Sequence, residues 1–180
     1  MKPIVRELLI TIGLAVIIFV GARQTIQTYE VYYTSMEPNF HEGQRVVVNK
    51  AVYFWGKPGR GDVIVFASPV SPGEDFIKRV IGLPGDEVEI KDGRVYVNGI
   101  ALEEPYIASP PAYTMPKITV PEGKYFVLGD NRNSSNDSHY GWLVDEDAII
   151  GKAWLSTWPP SLWGTVANFD LDIQVENTTS

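Results

Sequence analysis

Four blocks of the sequence hold residue types that can do peptide-bond chemistry. They are Ser35-Met36-Glu37-Pro38, Arg60 to Phe66, Phe76 to Asp86 and Gly129 to Trp142. In the third block, a strand of period two puts Phe76, Lys78 and Val80 on one face and Ile77, Arg79 and Ile81 on the other. If Lys78's face packs, desolvation disfavours its ammonium and lowers its pKa. A neutral lysine can take a proton from a serine hydroxyl. Arg79 points away from that face, where Asp130 or Asp137 can pair with it. Each residue alone also has a plainer role. A serine ending an extended stretch is a turn residue, and a lysine in a strand guards an edge. The Asp, Asn, Ser and Gly of the last block suit an Asx-rich turn, with His139 a surface residue in it.

These blocks need a rigid body to bring them together. The chain has 180 residues, 44% of them hydrophobic, enough for one modest domain and a core. Net charge is −7, and three of the 15 basic residues lie in the first 23 positions. So acidic a body argues against nucleic-acid binding. With no cysteine and two histidines, His41 and His139, thiolate chemistry is excluded and an imidazole-built metal site disfavoured.

After Tyr29, short apolar runs alternate with Gly, Pro, Asn and Asp, as in an all-β domain. Expected strands include Arg45–Asn49, Asp62–Ala67, Phe76–Ile81, Glu87–Ile90, Arg94–Val97 and Tyr125–Leu128. Asp92-Gly93 between two β-rich runs signals a hairpin. The proline-rich stretch Pro105 to Pro121 reads as a loop or small cap. Residues 168–180 read as a polar, frayed tail.

Leu8 to Ala22 is an uncharged apolar run preceded by Lys2 and Arg6. It is short against the ~20 residues of a membrane span, but Arg23 can snorkel and Thr25–Ile26 can lengthen it. The expected role of residues 1–28 is a transmembrane anchor with a cytoplasmic amino terminus and the body outside. A cleaved signal peptide ending at Val20-Gly21-Ala22 is the alternative. A buried core helix is disfavoured because the run lacks a polar face.

Taken in order, the blocks resemble those of bacterial type I signal peptidases, over most of the chain to about Trp142. SMEP is similar to the nucleophile box, FIKRVIGLPGD to the lysine box and GDNRNSSNDSHYGW to the final box. The resemblance implies a coiled β catalytic domain over residues 29–167, with a cap inserted at about 87–121. It implies a Ser/Lys dyad of Ser35 and Lys78, with neither metal nor cofactor. Ser135 would orient the lysine, and Arg79, Asp130, Arg132 and Asp137 would form supporting ion pairs. Val31, Met36, Phe40, Phe76 and Ile77 would line shallow apolar pockets. The implied substrates are preproteins, cut after small residues at −1 and −3. The implied partners are their signal peptides, the lipid bilayer of a bacterial plasma membrane and a nearby secretion translocon.

The sequence departs from the family pattern at two places. Tyr33 stands where a small hydroxyl residue donates to the oxyanion in many members. His139 replaces the arginine common after the Asp-Ser pair. Tyr33 favours one alternative from another class, a catalytically impaired, membrane-anchored peptide-binding module. A self-cleaving repressor would need a DNA-binding module, for which this chain has neither length nor charge. A Ser/His variant is disfavoured because Lys78 holds the base position.

Overall fold

The structure, a computed structural model, describes residues 3–176. Lys2 of the expected anchor and residues 177–180 of the expected tail lie outside the described residues. Helix α1 spans Pro3–Thr25 and leads directly into β1 (Ile26–Glu30). Eleven further strands follow: β2 (Arg45–Asn49), β3 (Val63–Ala67), β4 (Asp75–Gly82), β5 (Glu87–Lys91), β6 (Arg94–Val97), β7 (Ile100–Ala101), β8 (Met115–Thr119), β9 (Lys124–Leu128), β10 (Val144–Asp145), β11 (Ile149–Trp158) and β12 (Gly164–Thr165). A short helix, α2 (Asp172–Glu176), ends the described chain.

The expected mainly β class holds, and the strand pairings are antiparallel. The larger sheet runs β1-β2-β11-β3-β4-β9-β10, with β12 beside β11. The smaller runs β7-β6-β5-β8 and lies in sequence between β4 and β9, which pair with each other in the larger sheet. It is therefore an insertion. Two tight turns build it. Asp92-Gly93 and Asn98-Gly99 both have positive φ at their two central positions, the geometry that matches strand twist. Alternate residues Val88, Ile90, Val95 and Val97 point inward and share a core with Ile81, Phe126 and Leu128 of the larger sheet.

Several expectations change. The anchor does not reach residue 28, because Ile26 already pairs with Asn49 in the sheet. Among the described residues no helix is long and apolar enough to cross a membrane. The expected transmembrane helix is thus an N-terminal helix with apolar side chains such as Leu8, Ile12 and Phe19 exposed. The proline-rich stretch read as a loop or small cap contains β8, which pairs with β5 in the inserted sheet. The tail is not frayed as far as Val175. Leu171 and Val175, one helical turn apart, are buried in the core under the smaller sheet. Asn168 Oδ1 accepts the Val63 N–H at 3.0 Å, and Asp172 pairs with the buried Arg60 at 3.0 Å.

Candidate active site

Ser35 lies in the turn after β1, and its neighbours hold the turn from both sides. The Glu37 N–H donates to Thr34 O at 3.1 Å, and the Asn39 and Phe40 N–H groups donate to Met36 O at 3.0 Å. From the loop after β9, the Asn131 N–H donates to Ser35 O at 3.0 Å and Asn131 Nδ2 to Thr34 O at 3.1 Å. Tyr33 sits in the left-handed region at φ 68°, a strained conformation for a bulky side chain.

Lys78 lies in β4 opposite Ile64 of β3 and is 4% exposed. Its Nζ is 2.6 Å from Ser35 Oγ and donates to Ile77 O at 2.9 Å. Burial lowers its pKa to about 8, against an upward pull from the carboxylates of Asp137 and Asp130. An amine that loses its charge this easily, in contact with a hydroxyl, can act as a general base.

A buried framework holds this pair. Arg79 Nε and Nη2 donate to the two oxygens of Asp130, both at 2.8 Å, and neither side chain is exposed. The Tyr106 ring covers the guanidinium at 4.2 Å. Of the two acids that can pair with Arg79, the structure selects Asp130. Asp137 instead accepts the Gly129 N–H at 2.9 Å and meets His139 Nδ1 at 2.6 Å. Arg132 pairs with Glu104 of the inserted segment at 2.8 and 2.5 Å. Nothing in the sequence signalled Glu104, because this contact depends on how the insertion folds back.

The chain passes close to itself at Gly129. A Cβ there would fall 2.3 Å from Ser135 Oγ and 2.4 Å from Ser35 O, so only glycine fits. Ser135 Oγ is buried and has no hydrogen-bond partner among the described residues. It makes no hydrogen bond to Lys78, the residue it was expected to orient; the Nζ donates instead to Ser35 and Ile77.

A cleft of about 650 Å³ opens beside the pair, lined by Val31, Tyr33, Phe76, Ile77, Ser134 and Asn136 among others. Met36 and Phe40 were expected there too. They are 0% and 2% exposed and pack in the core behind the Ser35 turn, with Val46 and Val63. β9 pairs with β4 only from Arg79 onward, so among the described residues Asp75 to Lys78 keep one edge without a strand partner. An extended peptide can add to such an edge. Among the described residues, no group of three or more His, Asp or Glu side chains is arranged to hold a metal ion.

Residues 4–158 match the family described as signal peptidase, peptidase S26. The chain belongs to this signal peptidase family. A probable signal peptidase I-1 of Synechocystis sp. is 45% identical over 142 residues, which cover 75% of this chain and 72% of that one. Signal peptidase IB of Staphylococcus aureus (strain MRSA252) is 36% identical over 197 residues, 99% of each chain. A crystal structure of a signal peptidase I from Enterococcus faecalis is 39% identical, with a TM-score of 0.47, covering 54% of this chain and 97% of that one. Membership in the signal peptidase family adds to the geometry a reaction class, the removal of signal peptides.

Proposed function

We propose that this protein is a serine–lysine endopeptidase that removes N-terminal signal peptides from preproteins. The 2.6 Å contact between Ser35 Oγ and a desolvated Lys78 carries the proposal. The neutral Lys78 amine takes the Ser35 proton as Oγ attacks the scissile carbonyl carbon. The resulting oxyanion meets the Ser35 backbone N–H, which has no protein acceptor among the described residues. The Lys78 ammonium then protonates the leaving amine, the C–N bond breaks and an ester to Ser35 remains. Water attacks this ester with Lys78 again as base, releasing the acid and restoring the hydroxyl.

The substrate lies extended along the free edge of β4. Its small side chains at −1 and −3 turn toward the floor at Val31 and Ile77. Arg79, Asp130, Arg132 and Asp137 support the dyad through the buried pairs described above. Ser135 supplies a buried hydroxyl beside the Ser35 turn.

Helix α1 attaches the protein to a bilayer through its exposed apolar side chains. Sharing one membrane surface with its substrates raises their effective concentration. Carbonate extraction tests the attachment, and protease protection tests the side on which the body lies. The test of function is to incubate the detergent-solubilised protein with a preprotein and sequence the new amino terminus. A terminus following small residues at −1 and −3, absent with Ser35→Ala, supports the proposal. No cleavage by the parent would favour the peptide-binding module that Tyr33 suggests.

A further inference from the structure

Asn39 lies four residues after Ser35 and belongs to no block that the sequence marked as chemical. Its amide nitrogen makes two bonds at once, to Asp130 Oδ2 at 2.8 Å and to the Tyr106 carbonyl oxygen at 2.7 Å. Both partners are acceptors only, so the amide NH₂ is what this position requires. An aspartate of the same shape would bring no donor and a second negative charge.

The bonds join three parts of the molecule. Asp130 already holds Arg79, the residue after Lys78, through both carboxylate oxygens. Tyr106 belongs to the inserted segment and covers the Arg79 guanidinium. The Asn39 backbone closes the turn that begins at Met36. The neighbouring Asn131 grips the other end of that turn, at Thr34 and Ser35. Consecutive residues of one loop, Asp130 and Asn131, thus clamp the nucleophile turn at both ends, and Asn39 is the turn's own contribution to the clamp.

We propose that Asn39 is a positioning residue for the nucleophile. It ties the Ser35 turn to the Asp130–Arg79 pair and to the Tyr106 backbone, and so sets where Ser35 Oγ meets Lys78 Nζ. The inference rests on the peptidase function proposed above. Without the Asn39 bonds the turn retains its fold but samples positions in which the Oγ–Nζ contact is lengthened. Reaction geometry of this kind acts on kcat more than on substrate binding.

Asn39→Leu removes both donors at nearly constant size, and Asn39→Thr keeps one shorter donor. Peptide cleavage is measured on the full chain in detergent across pH, with circular dichroism as the folding control. The comparison is made on the alkaline plateau, where Lys78 is neutral in every protein and only geometry differs. Asn39→Leu should lower plateau kcat by at least about tenfold with KM unchanged within about twofold, and Asn39→Thr should fall between it and the parent. Should Asn39→Leu fail to fold, Asn39→Thr alone decides, with a drop in kcat at constant KM expected. A folded variant with parental plateau kcat overturns the inference while leaving the peptidase function standing. So does a loss seen mainly in KM, which would place Asn39 in substrate binding. A parent that cleaves nothing overturns both.

Discussion

Arg79 and Asp130 form a fully buried, two-bond ion pair that joins the lysine strand to the loop gripping the serine. Its position explains how two residues 43 apart in sequence, Ser35 and Lys78, come within 2.6 Å. Breaking one partner leaves an uncompensated buried charge. Asp130→Ala should therefore destabilise the protein by about 3–5 kcal/mol. Urea unfolding measures this, and the double variant Arg79→Met/Asp130→Leu should recover part of the loss, because no charge is then stranded.

Ser35→Ala removes only the attacking oxygen. Cleavage should fall by at least about a thousandfold while the circular dichroism spectrum stays parental. Activity retained above a few per cent would assign the nucleophile to another residue.

Lys78→Arg should be as inactive as Lys78→Ala, below about one-hundredth of the parental rate. Arginine keeps the charge but is not deprotonated in proteins, so it cannot take the serine proton. Substantial activity in Lys78→Arg would make the lysine a structural cation.

The rate should rise with pH through the lowered Lys78 pKa of about 8 and level off above it. His139→Ala should keep this acid limb. A limb lost in His139→Ala would point to the imidazole, which lies on Asp137, as the base.

The same shift has a stability consequence of defined sign. The folded state lowers the Lys78 pKa below its ordinary value of 10.5, so protonation penalises the native state. The penalty is complete below pH 8 and fades as pH rises toward 10.5. Lys78→Met should thus stabilise the protein by about 3 kcal/mol at pH 6, and by progressively less in alkaline buffer. Thermal melts at several pH values check this, and a gain that grows with pH would contradict it.

Local patterns made part of this architecture legible. Arg45–Asn49 and Arg94–Val97 are strands at the expected bounds, and Asp92-Gly93 is the expected turn, because period-two alternation and left-handed turn residues act over a few positions. β11, the longest strand, was not singled out. Gly151 and Lys152 interrupt its pattern, and its pairings with β2 and β3 shift register. Gly151 is needed because a Cβ there would fall 2.6 Å from Asn49 O, a contact no local pattern announces.

The family was legible in the sequence, and so were the candidate reactive groups. Ser35, Lys78 and the loop from Gly129 lie in contiguous motifs, and the apolar neighbours of Lys78 made a desolvated amine conditional on packing, which the fold supplies. Tertiary structure alone decided the partners. It paired Arg79 with Asp130 and not Asp137, gave Glu104 to Arg132, sent Met36 and Phe40 into the core and set Asn39 against Asp130. The physical reason is that a buried charge or amide must be matched wherever the fold places it, and a match across tens of residues leaves no local periodicity to read.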